Sequence, residues 1–322
     1  MRESTKEVLS QYQVRKTRKQ KRAFAEFVQR KAQENGYYAY LEKGSLASEN
    51  IVVGDVSRAR VIYTAHYDTC ARMPFPNLIT PKNIPLFLLY QLLLSAVLIL
   101  MWAGFGILLW FGASRILADS HEAMQIARLG SLIFLNILMW LLVAGPANPH
   151  TVNDNTSGVV TLLSIMESLP SEFRSEVAFV FFDLEEVGLV GSSSFAATHK
   201  AILKDKLLVN FDCVSDGETM LFCLKKKTHP FSSVIERAFI SDETVSVEIA
   251  KNGFVYPSDQ MMMPCGIGVA ALKKTKKGIL YMDKIHTKND TVFREENIEF
   301  LTKGAVALVS LLGQDENDTV NQ

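Results

Sequence analysis

The stretch Val177-Ala178-Phe179-Val180-Phe181-Phe182-Asp183-Leu184-Glu185-Glu186-Val187-Gly188 sets the reading of the whole chain. Its first six residues are apolar without interruption, the pattern of a short strand buried on both faces. Acidic residues follow at once, so such a strand delivers Glu185 and Glu186 to the carboxyl edge of its sheet. Ligands of open α/β sheets collect at that edge.

Working outward, the coarse pattern is α/β. A charged helix is expected from about Arg18 to Glu34, with Phe24, Phe27 and Val28 on one side, followed by strands at Tyr37–Leu41, Asn50–Val53 and Val61–Ala65. Gly158–Leu169 reads as a helix, because Val159, Leu162, Leu163 and Met166 recur at helical spacing and Asn155, Thr156 and Ser157 supply a start signal. Further strands are expected at Leu207–Phe211, Met220–Leu224, Gly268–Leu272 and Ile279–Met282, with a closing helix from Glu295 to Leu312 and a polar tail over 314–322. The predicted fold is α/β, with a mixed, mostly parallel central sheet, helices on both faces and an inserted hydrophobic helical hairpin.

Four more stretches carry donor groups: Ala65-His66-Tyr67-Asp68, Asn153-Asp154-Asn155-Thr156-Ser157-Gly158, Asn210-Phe211-Asp212 and Ile285-His286-Thr287. Each is ordinary by itself, as a strand end, a helix cap or an acidic loop. Together, two histidines and several carboxylates are the nitrogen and oxygen donors that suit a pair of divalent cations, zinc first among them.

In this order the stretches resemble the co-catalytic zinc aminopeptidase family, which includes bacterial leucine aminopeptidases, glutamate carboxypeptidase and the glutaminyl cyclases. The likeness covers roughly residues 20 to 312 apart from one insertion. It implies that His66 and Asp212 hold one metal, that Glu186 and His286 hold the other, and that Asp154 bridges both. It further implies that Glu185 is the general base and that Asp68 hydrogen-bonds the free ring nitrogen of His66, fixing its tautomer. The peptide bond joining Asp154 to Asn155 is expected to be cis on the same ground. Two cations held by one carboxylate activate a water and polarise a carbonyl, while a neighbouring free carboxylate moves the proton.

The resemblance implies a zinc-dependent exopeptidase, most simply an aminopeptidase acting on peptides with a free N-terminus. One alternative is a single-zinc enzyme like the glutaminyl cyclases, although these tend to carry Trp where Ile285 stands. Another is a non-catalytic, membrane-anchored binding protein on the same scaffold, which would be marked by a lost ligand or base; none is lost. The family often has Ser-Asp-His where this chain has Ser258-Asp259-Gln260, so Asp259 is a candidate for support behind the ligands, while Gln260 removes an imidazole. Tyr256 and Met261-Met262-Met263 are candidates for a soft apolar pocket.

The insertion is 83–149, interrupting a catalytic domain made of 1–82 and 150–313. Residues 83–114 and 129–149 carry no charged side chain. Two candidate transmembrane helices, about 84–111 and 129–147, predict two antiparallel crossings that return the chain to one side, a membrane span taking about 20 apolar residues. A soluble hydrophobic lid over the active site is the competing reading. With no signal-peptide core near the N-terminus, the expected arrangement is a multi-pass protein of the cell membrane with a cytoplasmic catalytic domain. The basic run Arg15-Lys16-Thr17-Arg18-Lys19-Gln20-Lys21-Arg22 is either a contact for anionic lipid headgroups or a solvated helix face.

Composition adds exclusions. Lys plus Arg and Asp plus Glu both number 34, giving a formal net charge of zero, and no nucleic-acid motif is present, so no nucleic-acid partner is expected. Cys70, Cys213, Cys223 and Cys265 have neither zinc-finger nor paired-disulfide spacing and read as reduced thiols. Cys70 and Cys213 stand near proposed ligands and are read as bystanders.

Overall fold

In the computed structural model, which describes residues 1–117 and 119–320, the apolar run before Asp183 is strand β4, and all six of its residues are buried. In chain order the helices are α1 (Glu3–Gln11), α2 (Arg18–Glu34), α3 (Ile84–Ser114), α4 (Ser120–Ala144), α5 (Gly158–Ser168), α6 (Val190–Thr198), α7 (Ser232–Ala238) and α8 (Glu295–Val320). The strands are β1 (Ala39–Lys43), β2 (Glu49–Val53), β3 (Val61–His66), β4 (Val177–Phe182), β5 (Leu207–Phe211), β6 (Thr219–Leu224), β7 (Ser246–Ala250), β8 (Gly266–Lys274) and β9 (Leu280–Tyr281).

The sheet is mixed, ordered β1-β2-β4-β3-β5-β8-β6-β7, with β9 paired to β8. Its four central strands, β4, β3, β5 and β8, run parallel. Antiparallel pairings join β1 to β2, β2 to β4 and β8 to β6. Parallel neighbours end at one edge, so the residues after β3, β4 and β5 emerge side by side.

Alternation along β4 explains the layers. Val177, Phe179 and Phe181 enter a large core with α1, α2, α5, α7 and α8, while Ala178, Val180 and Phe182 face a smaller one with Phe195 of α6. Helix α2 starts at a capping box in which Thr17 and Gln20 satisfy each other's backbone amides. Short elements escaped the periodicity argument: α1, α6, α7 and the edge strand β7 span at most nine residues each. Helix α8 runs on to Val320 beyond the expected stop at Leu312, so the tail expected over 314–322 is helical that far, and its last two residues lie outside the described ones.

Both insertion helices form, and α4 begins nine residues before the expected start at 129, taking in Glu122 and Arg128. They pack on each other through small residues: Ala123, Ala127 and Ser131 of α4 are buried, and Phe105 stacks on Phe134 with ring centroids 4.2 Å apart. Their remaining surface is apolar and exposed, including Leu92 at 66%, Leu100 at 70% and Leu108 at 71%, so the hairpin does not fold down on the catalytic body as a lid. Its two ends meet at that body, where the Arg72 amide donates to the Pro146 carbonyl at 2.9 Å and Ala71 bridges Ala147.

The basic run is not one solvated or lipid-facing stripe. Arg15 is fully buried, and Lys21 bonds both carboxylate oxygens of Asp183 at 2.7 and 2.9 Å. Of its cations, Arg18, Lys19 and Arg22 keep an exposed position.

One contact sets how α5 meets the sheet. A Cβ on Gly158 would lie 2.3 Å from the Phe211 carbonyl oxygen and 2.4 Å from Asn155 Oδ1, closer than any side chain can stand. Gly158→Ala should therefore push the first turn of α5 away from the end of β5 and lower unfolding stability by about 1–3 kcal/mol, the usual cost of overpacking. Thermal unfolding of the purified protein measures this; an unchanged midpoint would contradict the close approach.

Candidate metal centre

His66 closes β3, Glu185 and Glu186 follow β4, and Asp212 follows β5, so the three parallel strands bring their acidic and imidazole groups to one edge. Asp154 arrives on the approach to α5, and His286 on the loop between β9 and α8. All six side chains converge. His66 Nε2 lies 3.2 Å from Asp154 Oδ1 and 3.5 Å from Asp212 Oδ1. His286 Nε2 lies 2.9 Å from Asp154 Oδ2 and 3.2 Å from Glu186 Oε2. Asp154 thus turns one oxygen toward each imidazole. Glu185 groups with His66 and Asp212, with ligand atoms within 4.8 Å of one another.

The loop carrying Asp154 is held from every side. The Asp290 carboxylate accepts the Asn153 and Asp154 amides at 2.7 and 3.0 Å. Across the cis Asp154–Asn155 peptide, the Asn155 carboxamide donates to the Phe211 carbonyl at 3.0 Å and accepts from the amides of Gly158 at 3.0 Å and Cys213 at 3.2 Å. Asn153 Oδ1 accepts the amides of Ser215 and Asp216. Buried Arg15 adds a strap, donating to the Tyr67 carbonyl at 2.5 Å and to Thr156 Oγ1 at 3.1 Å. Arg15 thereby joins the loop after His66 to the loop after Asp154. Neither Asp290 nor Arg15 stood out among the sequence candidates; the first followed His286 by four positions, and the second lay hidden inside a basic run.

Asp68 does a different job from the one expected. Its main-chain carbonyl meets His66 Nδ1 at 3.1 Å, whereas its carboxylate stands 3.6 Å from that nitrogen, too far for a hydrogen bond. The carboxylate instead accepts the Glu185 and Glu186 amides at 3.0 and 3.2 Å. His66 is therefore oriented by backbone, and Asp68 positions the acidic pair. Asp183, paired with Lys21, anchors the start of the same turn by accepting the Glu49 amide.

Charge crowding is severe. Burial first, then Asp154 and Asp68, push Glu186 up to about 8, although the imidazoles oppose this. Burial and Asp154 likewise raise Asp290 to about 8, and burial raises Asp259 to about 7. Burial works against a charged His286, yet Glu186 and Asp154 outweigh it and hold that ring at about 9. Glu185 is raised well above the usual carboxylate range, by burial before all else. Buried acids in such numbers call for cations among them. The donor set fits zinc: both Nε2 atoms face the carboxylates, the backbone bond to His66 Nδ1 leaves its Nε2 lone pair free, and buried Glu186 Oε1 has no hydrogen-bond partner among the described residues.

Two thiols also reach the cluster. Cys70 groups with Glu186 and His286, and Cys213 groups with Asp154 and Asp212. Burial pushes both thiols well up, which keeps them protonated. The adjoining cavity, about 120 Å³, is walled by Asn77, Ile79, Tyr256, Pro257, Met282 and Ile285 beside the cluster. The methionine run expected there lies elsewhere, with Met263 in the smaller core and Met261 48% exposed. Gln260 also turns away, bonding the Tyr256 carbonyl and the Asn210 side chain.

Comparison with known proteins identifies the family and the fold. The sequence model for peptidase family M28 matches residues 141–309. No curated protein matches the chain in sequence. Among solved structures, Porphyromonas gingivalis glutaminyl cyclase has a TM-score of 0.58 at 15% identity, over 95% of each chain. The Legionella pneumophila LapA aminopeptidase gives 0.55 at 16%, over 95% of this chain and 69% of that one. A leucine aminopeptidase precursor from Bacteroides thetaiotaomicron gives 0.54 at 12%, over 95% and 93%. At these identities the likeness establishes the fold, and the family model, spanning more than half of the 322 residues, establishes the kinship: the protein belongs to peptidase family M28 and is a zinc metallopeptidase.

Proposed function

We propose that the protein is a membrane-tethered aminopeptidase that holds two zinc ions, one between His66, Asp212 and Asp154 and the other between His286, Glu186 and Asp154. The observation that carries this reading is the Asp154 carboxylate, with one oxygen toward each imidazole at 3.2 and 2.9 Å. Zinc bound there would supply Lewis acidity, lowering the pKa of a water and polarising the scissile carbonyl. Glu185, adjacent in sequence to the proposed ligand Glu186 and standing beside His66 and Asp212, takes the proton of the attacking water and returns it to the leaving amine. Asp68 fixes both glutamates through their amides, so the base and the ligand keep their separate roles. The cavity walls Ile79, Tyr256, Met282 and Ile285 receive an apolar N-terminal side chain.

Replacing the base separates chemistry from metal binding. Glu185→Gln should retain the zinc content of the wild type and lower turnover of leucine or alanine p-nitroanilide by about 10²–10⁴-fold, the usual contribution of a positioned acid–base group. Loss of zinc in this variant would make Glu185 a ligand instead. Because a glutaminyl cyclase shares the fold, a peptide with N-terminal glutamine is the second substrate to assay. Cyclisation without release of N-terminal residues would overturn the aminopeptidase reading.

The membrane assignment rests on α3 and α4, which have 31 and 25 residues, each with an 18-residue stretch of mean hydropathy 2.5 and 2.0 respectively that is almost wholly exposed. At 1.5 Å per residue each exceeds the roughly 30 Å of a hydrocarbon core. Their ends meet at the catalytic body, which puts all the proposed ligands on one side of the bilayer, taken here as the cytoplasmic side. After an alkaline carbonate wash the full chain should stay in the membrane pellet and leave it only with detergent. Recovery in the carbonate supernatant would remove the anchoring role.

A further inference from the structure

A second cavity, of about 350 Å³, lies at the foot of the hairpin. Leu94, Val97, Leu98 and Met101 of α3 line one side, and Leu138, Leu141 and Leu142 of α4 the other. Pro74, Phe75 and Pro146 close its base, and Arg72 is the one charged residue in its wall among the described residues. The volume falls in the range of small-ligand sites, roughly 300–1,000 Å³. Water is a poor occupant, since a buried water needs two to four polar partners and the lining offers a single cation.

Depth in the membrane identifies the level of this cavity. Helix α3 exceeds the length needed for a span by about ten residues, and its second turn is tied to the catalytic body where the Tyr90 hydroxyl bonds the Pro76 carbonyl. Leu94 is the eleventh residue of α3, and Leu142 is two residues short of the end of α4. The cavity therefore stands where α4 leaves the hydrocarbon, with its leucines toward the chains and Arg72 toward the headgroups. Lys16 is nearby, its Nζ bonding the Val143 carbonyl at 2.8 Å in the last turn of α4. Arg72 itself is exposed, and its guanidinium has no hydrogen bond or ion pair among the described residues. A guanidinium with five donors is suited to bidentate contact with phosphate.

We propose that this foot is a binding site for one anionic phospholipid, with an acyl chain between α3 and α4 and the phosphate on Arg72. The proposal rests on the membrane reading above. It links the lipid to the active site, because Arg72 precedes Met73, whose amide donates to the His286 carbonyl at 2.7 Å. A lipid phosphate on Arg72 thus steadies the segment that supports one proposed metal ligand.

Native mass spectrometry of the full-length protein, reconstituted with equal phosphatidylglycerol and phosphatidylcholine and then stripped in detergent, tests the site. The wild type should retain one phosphatidylglycerol. Arg72→Gln should lower its retention relative to phosphatidylcholine by about tenfold, the scale of a single charge-assisted hydrogen bond. Leu98→Trp, which fills the cavity, should abolish retention of both lipids, with Leu98→Met as a control that keeps the site. A wild type that holds neither lipid, or holds both equally, overturns the proposal, as does retention unaltered by both Arg72→Gln and Leu98→Trp. An apolar peptide retained there in place of lipid overturns it too, assigning the cavity to substrate. Carbonate extraction of the same preparation separates the two claims: release from the membrane defeats the anchoring and the lipid site together, whereas a pellet-bound protein without retained phosphatidylglycerol defeats the lipid site alone.

Discussion

One carboxylate has to face two imidazoles that come from distant parts of the chain, and much of the surrounding structure serves that requirement. Asp154 achieves it with an oxygen toward His66 and an oxygen toward His286. The side chain gains its position from a loop clamped by Asp290 on one flank, by the Asn155 carboxamide on the other, and by Arg15 from beneath. Each clamp uses backbone amides and carbonyls that would otherwise be buried without partners. The same bonds that satisfy the loop therefore aim the carboxylate.

Electrostatics and backbone strain tell a consistent story. Glu185, Glu186, Asp259 and Asp290 are all pushed above the ordinary carboxylate range, chiefly by burial, which no core tolerates without a purpose. Left-handed backbone appears beside the same groups: Leu184 at φ 55°, Cys213 at 57° and His286 at 61°, none of them glycine. Conformations of this kind cost about 1–3 kcal/mol each and persist where surrounding structure enforces them. For Leu184 and Cys213 the enforcement comes from the fully buried strands β4 and β5 that they follow, and for His286 from the Met73 amide, which donates to its carbonyl at 2.7 Å.

Much of this was legible in the sequence because the donors sit at strand ends, where a run of apolar residues stops and an acid or histidine begins. The run before Asp183 specified both a buried strand and the edge it reaches, and helix α2 matched its expected limits of Arg18 and Glu34. What escaped depends on contacts remote in sequence. Arg15 looks like one more cation in a basic run until the fold buries it against Tyr67 and Thr156. Asp68 looks like a partner for His66 until its carboxylate is found on the amides of Glu185 and Glu186. Local pattern reports which face is apolar, but not which backbone amide a carboxylate will meet 117 residues away.

The hairpin is joined directly to the site. Its entry segment also walls the catalytic cavity, through Asn77 and Ile79, before turning into α3. On the proposed reading, anchoring and substrate access are parts of one continuous piece of chain. The account stands on two cations sharing Asp154, and anomalous diffraction at the zinc edge from crystals of the zinc-loaded protein tests that most directly. Two peaks about 3.5–4 Å apart on either side of the Asp154 carboxylate are predicted. A single peak, or zinc bound away from Asp154, would contradict it.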